Sequence, residues 1–386
     1  MFLTIIIFIL VLSVLVLVHE LGHFISARRL GVKCEEFGLG FPPRALGMYK
    51  NVLGKWRFIF STKEYSKLAS SEDENIKPHP KSTIYSLNWL PLGGFVKIKG
   101  QDGDEKKDGD SFSAQKIWKR VVILAAGVVM NIVLAWGLFS VGYMIGLPQS
   151  ASSVSDKAII SESGIIVAAV LPDSPAFLAG LQEGDKIIAI NGESISTESL
   201  FQESIASSLD KEVRLTLERS ELLLDVTASP TSLDGGQAKL GISIFASGTV
   251  RYPFFYSFVE GAKLTGYMLR DIVVAFGSLF ADLFKGQSVS DQFAGPIGIA
   301  DITGQAARLG FIYLLQFTAL LSLNLAVINI LPFPALDGGR ILFLLIEKIK
   351  GRPVKQEVEA VFHNIGFLLL MLLIIFVTYK DIARFF

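Results

Sequence analysis

The sequence predicts a polytopic α-helical membrane protein of about four transmembrane helices, with a membrane-associated β-hairpin and one inserted α+β domain. Apolar residues make up 51% of its 386 residues and the mean hydropathy is +0.49, which is too apolar for an ordinary soluble protein. Four apolar stretches are long enough to cross a bilayer, and a polar, acidic stretch separates the second from the third. The predicted spans are residues 1–28, 117–147, 309–340 and 361–380.

The first span carries the run His19-Glu20-Leu21-Gly22-His23 near its end. Residues four apart share one face of a helix, so His19 and His23 can offer two imidazoles to one metal ion. Glu20 can take a proton from a water molecule that the metal activates. An HExxH pattern also arises by chance, but ionisable residues in an apolar span are costly and usually functional. We therefore expect a zinc site in this span.

Charge is distributed unevenly along the chain, although its formal net charge is zero. Residues 27–120 hold 18 Lys and Arg against 11 Asp and Glu, whereas residues 148–310 hold 11 against 19. An excess of Lys and Arg beside membrane spans marks the cytoplasmic side. The first span is therefore expected to run from outside to inside, with its histidines toward the cytoplasmic leaflet. A cleaved signal peptide is the alternative, but the stretch lacks a basic amino-terminal region and a small-residue cleavage site.

Residues 29–116 are predicted to form a cytoplasmic or membrane-associated β region. Short strand-like runs alternate there with Gly and Pro, and Gly93-Gly94 precedes a strand of alternating apolar and basic residues. Because Trp89 and Leu90 make one end of this element apolar, the pattern predicts a hairpin that lies at the membrane.

The second span, residues 117–147, opens with basic residues that suit the cytoplasmic side. It contains the small residues Ala125-Ala126-Gly127, which allow another helix to approach closely. It also contains the polar Asn131, which can form a hydrogen bond to another helix. The sequence leaves two roles open for Asn131. One is helix packing, and the other is support of the metal site.

Residues 150–245 change character and become polar, acidic and rich in predicted strands. They contain, in order, the runs Ser174-Pro175-Ala176, Ala179-Gly180-Leu181 and Gly184-Asp185-Lys186-Ile187, followed by Ile190-Asn191-Gly192. This order of motifs resembles a PDZ domain of the bacterial type. The resemblance implies an extracytoplasmic domain that binds an extended peptide by strand addition beside a groove. A small β domain with a purely structural role is the alternative.

The segments around the last two spans are predicted from charge. In residues 253–308, charged side chains interrupt an apolar stretch near its middle, which favours an amphipathic helix on the outer membrane surface, followed by a loop. Residues 341–360 are predicted to be a short basic cytoplasmic loop before the fourth span.

The third span ends in the run Pro332-Phe333-Pro334-Ala335-Leu336-Asp337-Gly338-Gly339. The prolines break the helix, so Asp337 can turn inward toward the first span. A catalytic zinc ion needs a third protein ligand, and Asp337 is the best-placed candidate. The rival donors are His79, in a polar loop, and His363, at the start of the last span.

Three features together carry a resemblance to a known family. They are HELGH in the first span, a single PDZ-like insert, and the pattern Asn-Leu-x-x-x-Asn-Ile-Leu-Pro-x-Pro-x-Leu-Asp-Gly-Gly over residues 324–339. They resemble the bacterial site-2 protease family of zinc intramembrane proteases, and within it the regulator-of-sigma-E protease group. The likeness covers nearly the whole chain. It implies four spans with both termini outside, in the inner (plasma) membrane of a bacterium.

The resemblance also implies roles for single residues, with Glu20 as the catalytic base. The implied zinc ligands are His19, His23 and Asp337. The implied substrate-positioning residues are Gly93, Gly94, Asn324 and Asn329. In that family the hairpin around the two glycines is a membrane-embedded element that pairs with unwound substrate.

The expected function is therefore zinc-dependent cleavage of the transmembrane segment of a single-span protein, such as an anti-sigma factor or a remnant signal peptide. The expected partners are membrane lipid and a peptide at the PDZ groove, and no nucleic acid is expected. A non-catalytic PDZ adaptor with a structural, four-ligand zinc site is the alternative, and His363 would be its fourth donor. A metal transporter is a further alternative, but it would place polar residues at the midplane of several helices.

Overall fold

The computed structural model describes residues 2–61, 68, 71–101, 108–149, 157–195, 198–209, 211–219, 222–231, 238–286 and 295–385. Among these, the helices are α1 (Phe2–Arg29), α2 (Ile117–Ile145), α3 (Pro175–Leu178), α4 (Glu198–Ala206), α5 (Phe254–Phe284), α6 (Pro296–Leu309), α7 (Phe311–Ile330), α8 (Asp337–Lys350) and α9 (Gln356–Phe385). The strands are β1 (Cys34–Lys50), β2 (Trp56–Ile59), β3 (Ile84–Ile98), β4 (Leu147–Gln149), β5 (Ile159–Val170), β6 (Lys186–Ile190), β7 (Glu193–Ser194), β8 (Val213–Arg219), β9 (Leu222–Ala228) and β10 (Ile242–Arg251).

The chain divides into two compact units. The first comprises Met1–Leu138, Lys263–Arg308 and Phe317–Phe386, and the second comprises Phe139–Ala262 and Leu309–Gln316. Within the described residues, five helices are long and apolar enough to cross a membrane: Phe2–Arg29, Ile117–Ile145, Phe254–Asp282, Phe311–Ile330 and Glu357–Ala383. Four of them correspond to the predicted spans. The third in chain order corresponds to the helix predicted to lie on the membrane surface, so the number of true spans stays a prediction. Residues 287–294 of the predicted loop lie outside the described part.

Helices α1 and α2 lie unusually close together. A Cβ atom added at Gly22 of α1 would lie 2.3 Å from the carbonyl oxygen of Ala126, so only glycine permits this approach. Apolar side chains from α1, α2, β1, β3 and α8 form one buried cluster beside this contact. Its buried members are Phe24, Ala27, Val32, Cys34, Ile98, Phe112, Ile123, Leu124 and Leu344.

The predicted hairpin is part of a three-stranded sheet of order β2-β1-β3. Strands β1 and β3 each contribute two segments to this sheet. Cys34 to Leu39 pairs with Gly94 to Ile98, and Arg44 to Met48 pairs with Tyr85 to Asn88. Glu36 to Leu39 also pairs with Ile84 to Leu87, so this part of β1 lies between the two segments of β3. The chain reverses direction at the two glycines, as the turn prediction required, and Gly93 (φ 72°) takes a backbone conformation that favours glycine. A Cβ at Gly93 would lie 2.8 Å from the Val16 side chain, so this turn lies directly against α1.

The third predicted span is shorter than expected. Helix α7 ends at Ile330, and α8 begins at Asp337, so the aspartate opens a new helix and does not close the span. Residues 341–350, predicted as loop, are helical, because α8 carries an apolar face that packs on the buried cluster around Leu344. The glycines after Asp337 allow close packing: a Cβ at Gly338 would lie 2.2 Å from the carbonyl oxygen of Ile330.

The second unit contains a sheet of order β4-β10-β5-β6-β8-β9, with β7 paired to β6. It extends slightly beyond the predicted bounds of 150–245, from Leu147 to Arg251. Ser174 caps α3 by accepting a hydrogen bond from the Phe177 amide, and Pro175 occupies the first turn, as the sequence motif indicated. Buried Asp185 receives two hydrogen bonds from Arg219, which tie the turn before β6 to β8.

Candidate metal centre

Three side chains from α1 and from the start of α8 converge on one point. His19 Nε2 lies 2.9 Å from Asp337 Oδ2, and His23 Nε2 lies 3.3 Å from the same oxygen. The two Nε2 atoms are 3.2 Å apart. The imidazoles are 8% exposed and the carboxylate 16% exposed. Among the described residues, this is the group of three or more His, Cys, Asp or Glu side chains that could hold a metal ion.

The donor set fits zinc. Zinc binds nitrogen and carboxylate oxygen at about 2.0–2.2 Å, and tetrahedral geometry then separates the donor atoms by about 3.3–3.5 Å. The observed triangle is close to that size, and it is made of two imidazole nitrogens and one carboxylate oxygen. A cavity of about 210 Å³ adjoins it, lined by Val16, His19, Glu20, Leu325, Asn329, Ala335, Leu336 and Asp337. Three protein ligands beside an open position are typical of a catalytic zinc site, whereas structural sites are closed by four.

One face of α2 lines the other side of both imidazoles. Ile123, Gly127 and Asn131 lie four residues apart on that face. The carbonyl oxygen of Ile123 lies 2.8 Å from His23 Nδ1, and Asn131 Nδ2 lies 3.2 Å from His19 Nδ1. A Cβ at Gly127 would lie 2.6–2.7 Å from the Nε2 atoms of both histidines, so only glycine fits at this position.

Glu20 connects the centre to the sheet. Its Oε2 accepts a hydrogen bond of 3.1 Å from the Val96 amide in β3. The same strand is held to α1 again at Ser13, whose hydroxyl donates to the carbonyl of Pro91 and accepts from the amide of Gly93. Strand β3 lies at one edge of its sheet, and this edge runs along α1 to the carboxylate beside the three donors.

Comparisons with known proteins agree with this centre. The model of the family described as "Peptidase family M50" matches residues 7–61 and 74–373. This chain belongs to peptidase family M50. It is 32% identical to the zinc metalloprotease RasP of Bacillus licheniformis, over 99% of each chain. It is 30% identical to the regulator of sigma-W protease RasP of Bacillus subtilis, again over 99% of each. A putative zinc metalloprotease of Clostridium perfringens is 34% identical over 96% of each.

Solved structures match part of this M50 peptidase. A PDZ domain of an SdrC-like protein from Listeria monocytogenes matches 22% of this chain and 92% of its own, with 24% identity and a TM-score of 0.21. Family membership and the near-complete coverage by zinc metalloproteases make this protein a multi-pass, zinc-dependent membrane metalloprotease of the site-2 type.

Most of the predicted site residues of the M50 peptidase come together. His19, His23, Asp337 and Glu20 lie at the centre, and Asn329 lines the adjoining cavity. Gly93 and Gly94 pack on α1 within one turn of the motif: a Cβ at Gly94 would lie 3.2 Å from the Leu17 side chain. Asn324 is the exception. Its side-chain amide donates to the carbonyl of Leu320 in its own helix, and the residue is not among those that line the cavity.

The sequence of this M50 peptidase left the roles of some residues at the centre open and did not reveal others. His363, considered as a rival ligand, instead accepts a hydrogen bond at Nδ1 from the Ala335 amide and so holds the turn before Asp337. The Val96 amide and the Ile123 carbonyl are backbone groups, which a side-chain motif does not reveal. Support of the metal site was one of the two roles left open for Asn131. Gly127 was missed although its four-residue spacing from Asn131 places both on one face of α2.

Proposed function

We propose that this M50 peptidase cleaves a peptide bond within the membrane segment of single-span proteins. In this proposal His19, His23 and Asp337 hold the zinc ion, and Glu20 is the general base. The observation that carries it is the arrangement of three donors beside a cavity, with a carboxylate at the end of a strand edge. That arrangement joins the hydrolytic group to a surface on which an extended chain can bind.

The residues divide the chemistry between them. Zinc supplies a Lewis acid that lowers the pKa of water and polarises the substrate carbonyl. Glu20 removes a proton from the attacking water and delivers it to the leaving amine. The Val96 amide keeps the Glu20 carboxylate in place through its hydrogen bond to Oε2. Asn329 lines the cavity and can donate a hydrogen bond to the substrate backbone.

Substrate unwinding is the second requirement. A peptide bond inside a transmembrane helix is shielded, because its amide and carbonyl are hydrogen-bonded within the helix. The edge of β3 after Gly93 and Gly94 offers replacement partners for an extended segment. A mainly apolar groove of about 400 Å³ leads along α1 and the sheet toward this edge. It is lined by Ile6, Ile9, Leu10, Ser13, Leu39, Leu87, Asn88 and Pro91.

The name of one relative supports the proposed substrate class, and the charge distribution supports the proposed orientation. A relative of 30% identity is named a regulator of sigma-W protease, which supports an anti-sigma factor as substrate, with remnant signal peptides as a second class. The basic residues of 27–120 support an active site toward the cytoplasmic leaflet of a bacterial plasma membrane. The acidic insert then lies outside as a PDZ-type peptide-binding domain, with four spans and α5 on the outer surface.

The adaptor alternative receives no support from the donor geometry. A structural zinc site needs four protein donors, and the described residues bring three together. The fourth donor that the sequence offered, His363, is not in this group, and its Nδ1 accepts a hydrogen bond from the Ala335 amide.

The test is cleavage of a single-span reporter with a helix-destabilised membrane segment. The purified wild type, Glu20→Gln and the exposed control Glu74→Gln are compared in detergent, with and without a zinc chelator. We expect cleavage by the wild type and by the control, and its loss in chelator and in Glu20→Gln. Loss of a catalytic base lowers rates by about 10²–10⁴-fold or more. Wild-type turnover by Glu20→Gln would overturn the mechanism.

A further inference from the structure

Each imidazole of the centre has one nitrogen facing Asp337 and the other facing α2. The nitrogens that face Asp337 are the Nε2 atoms of His19 and His23. A neutral imidazole that gives its Nε2 lone pair to a metal carries its proton on Nδ1. Both Nδ1 atoms must therefore donate hydrogen bonds when the metal is held, and each needs an acceptor on α2.

For His23 the acceptor is evident. Its Nδ1 lies 2.8 Å from the carbonyl oxygen of Ile123, and a carbonyl can only accept. This contact alone fixes the tautomer of His23 with Nε2 free for the metal.

For His19 the partner is the side chain of Asn131. This residue is fully buried, and its amide nitrogen lies 3.2 Å from His19 Nδ1. Its other polar atom, Oδ1, is buried and has no hydrogen-bond partner within the part of the chain that the structure describes. A carboxamide has nearly the same shape after a half-turn about its last bond, so the two atoms can exchange places without repacking. The half-turn brings the acceptor to His19 Nδ1.

We propose that Asn131 is the positioning residue of His19: Asn131 Oδ1 accepts a hydrogen bond from His19 Nδ1–H and so directs Nε2 to the zinc. This inference rests on the proposed role of His19 as a zinc ligand. It resolves the choice that the sequence left open for Asn131. The backbone of the residue has a separate packing contact, because its carbonyl oxygen accepts from the Ser322 hydroxyl at 2.8 Å.

These two contacts allow packing and positioning to be tested apart. Asn131→Leu keeps the volume and removes the acceptor, whereas Asn131→Asp keeps an acceptor and removes the donor. Ser322→Ala removes the packing contact and leaves the Asn131 side chain unchanged. Zinc affinity of the full-length protein in detergent is measured by competition with a chromophoric chelator, and folding by thermal melting in excess chelator.

We expect Asn131→Leu to bind zinc about 10- to 100-fold more weakly, which is the usual effect of losing a hydrogen-bond partner of a ligating histidine. Asn131→Asp should stay within about threefold of the wild type, because a carboxylate also accepts from Nδ1–H. Ser322→Ala should bind zinc like the wild type. Equal zinc affinity of Asn131→Leu and the wild type would overturn the proposal, as would an Asn131→Asp variant that binds no better than Asn131→Leu.

Two further variants separate failure of this inference from failure of the proposed function. His19→Ala must lose zinc if His19 is a ligand, and unchanged affinity there would reject the ligand assignment itself. Asn131→Met is a second acceptor-free variant with a flexible side chain. If neither Asn131→Leu nor Asn131→Met folds, Asn131 acts through helix packing and the proposal is wrong.

Discussion

Gly127 is the residue at which the smallest change should have the largest effect on the metal. A methyl group there would lie 2.6 Å from His23 Nε2 and 2.7 Å from His19 Nε2, which is closer than non-bonded atoms approach, so the two imidazoles would have to move apart from their positions at the centre. We expect Gly127→Ala to lower the zinc affinity by about 100-fold or more, which is a larger loss than removal of a hydrogen-bond partner of a ligating histidine causes. The measurement is zinc per protein after dialysis, by atomic absorption.

Gly137→Ala is the matched control for this prediction. It lies in the same helix, and a Cβ there meets no atom within 4 Å. Alanine stabilises a helix by about 1 kcal/mol relative to glycine, so both variants should fold. Retention of zinc by Gly127→Ala would mean that zinc binding does not require the two imidazoles to stay in their positions against Gly127.

Cys34 provides a residue-scale prediction about pH. It is 1% exposed, and burial raises the pKa of its thiol to about 12. Because this pKa lies above the unfolded value of 9.0, the contribution to stability is complete below pH 9 and is lost as the pH rises toward 12. We expect negligible alkylation by iodoacetamide at pH 8 in the native protein and full alkylation in denaturant, since the thiolate is the reactive form. Rapid native labelling would show that the cluster around β1 opens.

At the scale of elements, the contact of β3 with α1 should control catalysis without controlling the metal. A Cβ at Gly94 would lie 2.9 Å from the carbonyl oxygen of Gly38 and 3.2 Å from the Leu17 side chain. We expect Gly94→Ala to move the strand and weaken the bond from the Val96 amide to Glu20, lowering single-turnover cleavage about tenfold or more. Zinc affinity should not change.

The control for the strand prediction is Gly109→Ala, because a Cβ at Gly109 meets no atom within 4 Å. Both variants are assayed for zinc affinity and for reporter cleavage. If Gly94→Ala cleaves at the wild-type rate, the strand edge does not position Glu20.

The elements that the sequence could predict are those with a local signal. The HELGH spacing places both histidines on one face of α1. The prolines before Asp337 predict the end of α7, which the structure places at Ile330, two residues before Pro332. The position of the two segments of β3 on either side of β1 depends on pairing between segments about 50 residues apart, which no local pattern encodes. Helix α8 was missed although its sequence carries a local signal, because apolar residues recur there at helical spacing between Asp337 and the basic last turn of Lys348 and Lys350.

At the scale of the whole molecule, the charge distribution predicts opposite sides of the membrane for two exposed lysines. Lys81 lies in the basic stretch of residues 27–120 and Lys211 in the acidic insert. In a Cys34→Ala background, a membrane-impermeant maleimide applied to intact spheroplasts should label Lys211→Cys and spare Lys81→Cys. Lysis should make both reactive. Labelling of both in intact spheroplasts would contradict the proposed orientation.

The metal centre joins distant parts of the chain, because His19 on α1 and Asp337 at the start of α8 are 318 residues apart. An unfolded chain cannot offer all three donors at once, so bound zinc should stabilise the folded state. At free zinc about 1,000 times the dissociation constant this amounts to about 4 kcal/mol, or a few degrees in melting temperature. We expect a chelator to lower the melting temperature of the wild type and of Glu20→Gln. His23→Ala should melt at the same temperature with or without chelator, and a zinc-dependent shift in that variant would place the ion elsewhere.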